Sequence, residues 1–141
     1  MKAYLDASVL VALLTDDALS ERAHALMLDI TPVLVLSDFA AAEFASAIAR
    51  CVRTGDMSKH EARAAFSLLD DWAERAVQRV QTIPADIADA ESALRRLDLT
   101  LRTPDAINIA IAHRVGASLV TFDEKMAQAA RQLGIGTIGT S

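Results

Sequence analysis

Four acidic side chains stand at positions where predicted strands end or predicted helices carry few other polar groups. Asp6 ends an apolar first strand, and Asp123 directly follows the strand-like segment 117–122. Asp105 lies in the first turn of a predicted helix, and Glu43 lies in a helix whose neighbouring residues are almost all apolar. Ligand sites of open α/β sheets gather beyond the carboxyl ends of the strands, so we expect these four carboxylates to converge there.

Three of these acids also have an ordinary structural interpretation. Asp6 and Asp123 would each make a good N-cap for the helix that follows. Thr103 is predicted as the N-cap of the Asp105 helix and Pro104 as its first residue, and an acid in the first turn complements the helix dipole. Capping and convergence on one site therefore remain open for each of these three residues.

Glu43 is harder to explain by capping, because its apolar neighbours leave little room for a solvated face. An ionised carboxylate in such surroundings is costly unless it is paired or bound to a metal. Arg50, about two turns further along the same predicted helix, is one candidate partner.

Convergence of the four acids would itself require a cation or a shared proton. Two carboxylates about 4 Å apart repel by roughly 4 kcal/mol at an effective dielectric of about 20. Ligands that are all oxygen favour Mg²⁺ or Mn²⁺ over zinc. His24, His60 and His113 are scattered singly over predicted helices and form no competing cluster.

The elements that would carry these acids alternate between short apolar strands and helices. This alternation predicts an α/β domain with a mostly parallel sheet flanked by helices. A capping box at Ser58 and Glu61 starts the second of two long helices, which predicts an αα-hairpin over about 37–76. Predicted strands span 2–6, 32–36, 77–82, 117–122 and 135–138. The helix that opens at Pro84 is predicted to bury one apolar face: Ile83, Ile87, Leu94 and Leu97.

Composition limits the remaining possibilities. The chain has 141 residues, of which 52% are hydrophobic and 4% aromatic, and this predicts a single domain, 1–141, with an aliphatic core. The formal net charge is −5, so nucleic-acid binding would need a local basic patch. Cys51 is the only cysteine, which excludes an intramolecular disulfide. No run approaches the roughly 20 apolar residues of a membrane span. We therefore expect a soluble, cytoplasmic domain.

Four segments occur in order and with fitting spacing: LDAS at 5–8, AAEFASA at 41–47, TPDAINIAIA at 103–112 and LVTFDEKMAQAA at 119–130. Together they resemble the PIN domain, and in particular the VapC toxins of bacterial toxin–antitoxin pairs. The resemblance extends over almost the whole chain, and it depends on all four segments because any one alone is a weak signal.

The resemblance implies a metal-dependent endoribonuclease that leaves 5′-phosphate and 3′-hydroxyl ends. Ser8 and Thr121 match small polar positions that support such a site, and Asn108 lies one helical turn after the acid at 105. One or two Mg²⁺ or Mn²⁺ ions would be held by the four acids, which would be both catalytic and metal-binding: Asp6, Glu43, Asp105 and Asp123.

The resemblance also implies partners, namely an RNA substrate, a small VapB-like antitoxin and a second copy of the chain. No membrane is expected to take part. Apolar residues of the predicted hairpin could form the antitoxin groove, although core packing is the more ordinary role of each: Phe44, Ile48, Phe66, Leu69 and Trp72. Candidate phosphate contacts are the basic residues near the acids in sequence: Arg50, Arg53, Arg95, Arg96, Arg102 and Lys125.

Three other readings share parts of the pattern. A haloacid-dehalogenase-type phosphatase also has a strand-end aspartate, but it needs a second acid two residues later, where this chain has Ser8. A response-regulator receiver needs a neighbouring acidic pair and a late lysine, and that combination is missing. A catalytically silent PIN-like module that binds RNA or protein is the third, and the presence of all four acids argues against it.

Overall fold

The centre of the computed structural model, which describes residues 1–29 and 33–139, is a sheet of five parallel strands. The strands are β1 (Lys2–Leu5), β2 (Val33–Ser37), β3 (Val77–Val80), β4 (Ala117–Val120) and β5 (Thr137–Ile138). Their order is β3–β2–β1–β4–β5, so β1 lies in the middle between β2 and β4. The predicted parallel sheet is confirmed. The second strand was predicted to begin at Pro32, which lies outside the described residues.

Helices connect the strands and flank the sheet, as the alternating pattern predicted. In chain order they are α1 (Ala7–Leu14), α2 (Ser20–Asp29), α3 (Asp38–Arg53), α4 (Lys59–Arg75), α5 (Pro84–Arg95), α6 (Thr103–Arg114) and α7 (Glu124–Gln132). The predicted αα-hairpin is formed by α3 and α4, which pack against each other. Among the described residues, none of the helices has the length and apolar character needed to cross a membrane.

Several helix starts are fixed by local side-chain chemistry. Asp6, Ser37 and Ser58 cap α1, α3 and α4, each accepting a hydrogen bond from the main-chain N–H three residues later at 3.0, 2.9 and 3.0 Å. The predicted capping box of α4 is complete, because Glu61 also accepts from the main-chain N–H of Ser58. These caps satisfy donors that a helix cannot pair internally, and they set the direction in which each helix leaves the sheet.

The core lies between the sheet and its helices. Phe44 of α3 is fully buried and meets Phe66 of α4 edge-to-face, with ring centroids 6.3 Å apart. Ile48 and Leu69 are also buried, and Trp72 is partly buried against the same core. All five predicted groove residues thus pack in or against the core, which is the more ordinary of their two predicted roles.

The buried face of α5 differs from the prediction. Of the four predicted residues, only Leu94 packs against the core, where it is partly buried. Ile83, Ile87 and Leu97 are 38%, 49% and 91% exposed, and Leu97 lies beyond the helix end with a backbone φ of 66°. The face of α5 that is buried instead carries Asp86 and Ala90. The reason is a charge pair, because Arg114 of the adjacent α6 reaches Asp86 and makes its burial tolerable.

Candidate active site

Asp6 lies at the carboxyl end of the central strand and is 5% exposed. Its carboxylate accepts hydrogen bonds from Ser8 Oγ at 2.7 Å, from the main-chain N–H of Val9 at 3.0 Å and from Thr121 Oγ1 at 2.5 Å. Burial raises the pKa of Asp6, and these hydrogen bonds offset part of that rise. Asp6 is therefore both the cap of α1 and a carboxylate held in one orientation by two hydroxyl groups.

Glu43 reaches the same region from the second turn of α3. Its Oε1 accepts a hydrogen bond from Asn108 Nδ2 at 2.6 Å, so Asn108 rather than Arg50 is the partner that the structure provides. Burial raises the pKa of Glu43, and the hydrogen bond from Asn108 lowers it in part. The negative charges of Asp6 and Asp105 raise this pKa further. Glu43 is thus a half-buried carboxylate that other carboxylates repel.

Asp105 lies at the start of α6, where it combines a capping role with a place in the site. It accepts from the main-chain N–H of Arg102 at 3.3 Å, and Arg102 Nε lies 3.7 Å from the same carboxylate oxygen. Arg102 takes the N-cap position and Thr103 is already helical, so the predicted cap at Thr103 is wrong by one residue. Because Asp105 pairs with the main chain of Arg102, the helix starts correctly without a hydroxyl cap.

Asp123 follows β4 and caps α7. Its Oδ1 accepts from the main-chain N–H groups of Lys125 and Met126 at 3.0 and 3.1 Å. Its own N–H donates to Thr121 Oγ1 at 3.0 Å, while the Thr121 hydroxyl donates to Asp6. Thr121 therefore connects the turns after β4 and β1 and fixes the positions of two acids at once.

The four acids line one small pocket. Its volume is about 160 Å³. The other residues that line it are Ala7, Ser8, Arg102, Asn108 and Met126. Over residues 1–29 and 33–139, no three acidic, histidine or cysteine side chains come close enough to form a ready set of metal ligands. The carboxylates thus face a common pocket from different walls.

A hard divalent cation fits this donor set. The pocket offers carboxylate oxygens, which are ligands that Mg²⁺ and Mn²⁺ prefer. Burial is the main cause of the raised pKa values of Asp6 and Glu43, and the negative charges of neighbouring acids raise both pKa values further. A bound cation would compensate these negative charges.

Only two of the six predicted basic residues lie beside the acidic pocket. Arg102 and Lys125 line a second cavity of about 290 Å³ that shares Asp105 and Asp123 with the first. Arg50 and Arg53 instead lie exposed in the last turn of α3. Arg95 pairs with Glu91 at 2.7 Å, and Arg96 pairs with Asp98 at 2.9 Å. The basic side chains beside the acidic pocket are thus Arg102 and Lys125.

Sequence reasoning missed Tyr4 and Ser37, which lie behind Asn108. Tyr4 Oη is 2.6 Å from Ser37 Oγ and donates to Asn108 Oδ1 at 2.5 Å. Burial raises the pKa of Tyr4, so its hydroxyl stays protonated and remains a donor. A signal was present, since Tyr4 is the single tyrosine of the chain and lies two residues before Asp6 in the first strand.

Comparison with known proteins identifies the family. A family model of the PIN domain matches residues 3–132, which include all four acids. The chain belongs to the PIN domain family. The confirmed parallel sheet is thus the sheet of a PIN domain. No curated protein matches the sequence.

Solved structures share this PIN fold at low sequence identity. The sarcin–ricin loop cleaving toxin VapC20 of Mycobacterium tuberculosis has a TM-score of 0.72 at 21% identity, over 90% of this chain and 94% of its own. VapBC2 of Rickettsia felis, bound to a promoter DNA fragment, has a TM-score of 0.70 at 15% identity, over 98% of both chains. A toxin–antitoxin complex from Klebsiella pneumoniae has a TM-score of 0.62 at 21% identity, over 99% and 95%. Identities this low show the fold alone.

The raised pKa of Glu43, caused by burial and then by repulsion from Asp6 and Asp105, gives a prediction for the metal-free protein. We expect Glu43→Gln to be as stable as the wild type near pH 4 and more stable at pH 7 to 8, by about 1 kcal/mol or a rise of 2–4 °C in Tm. A raised pKa means that folded protein holds the Glu43 proton more tightly than unfolded protein does. Protonation of Glu43 therefore stabilises the fold below its ordinary pKa, and this stabilisation is lost as the pH rises through the raised pKa. Glu43 is only half-buried, so screening by solvent keeps the effect small.

Glu61→Gln is the matched control, measured by urea unfolding over the same pH range. The hydrogen bond from the main-chain N–H of Ser58 lowers the pKa of Glu61, so its contribution is present above the ordinary pKa and is lost as pH falls. The control should therefore lose stability at neutral pH, the opposite sign. A Glu43→Gln protein that is less stable than the wild type at pH 7 would contradict the assigned repulsion.

Proposed function

We propose that this PIN domain is a metal-dependent endoribonuclease toxin of the VapC type. It hydrolyses RNA phosphodiester bonds and leaves 5′-phosphate and 3′-hydroxyl ends. The observation that carries the proposal is the pocket at the carboxyl edge of the sheet, which all four acids line. The likeness to a toxin described as cleaving the sarcin–ricin loop supports RNA as the substrate class.

Asp6, Glu43, Asp105 and Asp123 would hold one or two Mg²⁺ or Mn²⁺ ions in this pocket. A bound ion lowers the pKa of a water molecule and offsets the charge that builds up on the phosphate. The chain's own residues prepare the site for this chemistry: Ser8 and Thr121 orient Asp6, and Asn108 holds Glu43.

Arg102 and Lys125 are the proposed phosphate contacts. Both line the 290 Å³ cavity that adjoins the acidic pocket, so they lie where the RNA strand would continue from the reacting phosphate. Local cations of this kind let a protein with a net charge of −5 bind a polyanion. Arg102 Nε also lies 3.7 Å from Asp105 Oδ2, and both residues line both cavities.

A VapB-like antitoxin and a second copy of the chain are the proposed protein partners. Similar folds occur in VapBC2 of Rickettsia felis and in a toxin–antitoxin complex from Klebsiella pneumoniae, which supports the antitoxin. The proposed location is the cytoplasm, where RNA is available and where an unpaired Cys51 is stable.

The test is a map of 5′-phosphate RNA ends across the transcriptome of bacterial cells after induction without antitoxin. The wild type is expected to create new ends at a few defined sites, and Asp105→Asn is expected to create none. Asparagine keeps an oxygen that can accept from the Arg102 N–H, so the start of α6 is retained while the charge is lost.

Asp71→Asn, which changes an exposed acid of α4, is the control and should give the wild-type map. A map without new ends from the folded wild type, equal to that of Asp105→Asn, would refute the nuclease. That outcome would identify a catalytically silent binding module instead.

A further inference from the structure

A buried chain of polar side chains links the start of α3 to Glu43 by way of β1 and α6. The hydroxyl groups of Ser37 and Tyr4 lie 2.6 Å apart, and Tyr4 donates to Asn108 Oδ1 at 2.5 Å. Asn108 Nδ2 then donates to Glu43 Oε1 at 2.6 Å and to the carbonyl oxygen of Pro104 at 3.0 Å. Ser37 and Tyr4 are fully buried, and Asn108 is 2% exposed.

Every polar side-chain hydrogen of Ser37, Tyr4 and Asn108 has a defined acceptor. Tyr4 has a single hydroxyl proton, which it gives to Asn108, so the proton between Ser37 and Tyr4 must come from Ser37. Ser37 Oγ also accepts from the main-chain N–H of Ala40 at 2.9 Å. An Asn108 amide turned by 180° would place its oxygen against the Glu43 carboxylate. The donor at Tyr4 and the acceptors at Glu43 and Pro104 therefore fix the same orientation, in which the NH₂ group faces Glu43.

We propose that Tyr4 is a positioning residue of the metal centre, which acts through Asn108 to hold the Glu43 carboxylate at the acidic pocket. Asn108 and Glu43 both line that pocket, whereas Tyr4 is buried in β1 and reaches it only through Asn108. The inference rests on the proposed function, because it assigns a role toward a metal at the same site.

The physical basis is preorganisation. A carboxylate that is already held in place loses less conformational freedom when it binds an ion, and hydrogen-bond partners behind the ligands commonly change metal affinity by about 10–100-fold. Tyr4→Phe keeps the ring in the core and removes only the hydroxyl group. The variant leaves Asn108 Oδ1 without its donor, so the amide, and with it the Glu43 carboxylate, is held less tightly.

The test measures binding of Mn²⁺ to RNA-free protein by isothermal titration calorimetry. Tyr4→Phe is expected to raise the Kd for Mn²⁺ about tenfold. Asn108→Ala should raise it at least as much, and the double variant should have the same Kd as Asn108→Ala alone, because Tyr4 has no route to the site without the amide. Independent, additive effects of the two substitutions would overturn the proposal.

Asp86→Asn is the stability control, because it weakens a buried contact at the far end of α6. It is expected to lower Tm and to leave the Kd for Mn²⁺ unchanged. A Tyr4→Phe protein that behaves in the same way would show that Tyr4 is merely structural and would overturn the proposal. If the wild type itself binds no Mn²⁺, the proposed metal centre fails and the role of Tyr4 fails with it.

Discussion

Asp6→Asn is expected to lower the rate constant of RNA cleavage by roughly 10³-fold, the loss that corresponds to about 4 kcal/mol of stabilisation in the transition state. Asp6 is the most buried of the four acids, and the removal of its charge removes a principal ligand from the proposed metal centre. The measurement is a single-turnover rate on an RNA that contains a site found by 5′-end mapping.

The substitution separates chemistry from folding. Asparagine is as good an N-cap as aspartate, so its oxygen can still accept from the Val9 N–H and start α1. Ser8 can still donate to the retained oxygen, and the hydroxyl group of Thr121 can rotate to accept from the new amide. The far-UV circular dichroism of the variant should therefore match that of the wild type.

Asp16→Asn is the matched control for this prediction. Asp16 is an exposed acid in the segment between α1 and α2, so the same chemical change there should leave the cleavage rate unaltered. Cleavage by folded Asp6→Asn at the wild-type rate would show that Asp6 acts only as a helix cap.

The acidic pocket could be predicted from sequence because local signals place each acid. Asp6 and Asp123 end strands and cap the helices that follow, so both interpretations of these residues proved compatible. The alternation of strands and helices predicts a parallel sheet, whose strands all end at one edge. The structure adds that β1 and β4 are neighbours in this sheet. The acids are therefore placed by rules that act within a few residues of each one.

The support behind the pocket could not be predicted in the same way. Tyr4 and Asn108 are separated by 104 positions, and their contact depends on how α6 packs against the sheet. The buried face of α5 was wrong for a related reason. The four apolar residues at helical spacing predicted a buried face that leaves Asp86 exposed. In the structure Asp86 is buried, because Arg114 of α6 pairs with it, and sequence spacing cannot predict that contact.

Arg114→Met is expected to lower the free energy of unfolding by about 3–5 kcal/mol, because it leaves a buried carboxylate without its partner. Arg114 Nε lies 2.8 Å from Asp86 Oδ1, and Arg114 Nη2 lies 3.0 Å from Oδ2. Asp86 is fully buried, and its remaining hydrogen bond comes from the main-chain N–H of Ile83 at 2.9 Å. The measurement is the midpoint of urea unfolding with an unchanged m-value.

Asp86→Asn should be the milder change, with a loss of about 1.5–3 kcal/mol. The Arg114 side chain is 30% exposed, so its charge can still be hydrated, and it keeps the Gln81 carbonyl oxygen at 2.8 Å as an acceptor. The asymmetry follows from exposure, since the carboxylate has no access to water and the guanidinium does. A larger loss for Asp86→Asn than for Arg114→Met would show that water reaches Asp86 after all.

The same pair also separates stability from activity. Arg114 lies nine residues after Asp105 on α6, a distance of about 13 Å along the helix axis. The folded fraction of Arg114→Met should therefore cleave RNA at the wild-type rate below its unfolding midpoint. Arg114→Lys should fall between the wild type and Arg114→Met in stability, because lysine keeps the charge and loses the two-pronged contact. A cleavage rate that falls in parallel with stability in folded protein would instead mean that the Asp86–Arg114 pair sets the position of Asp105.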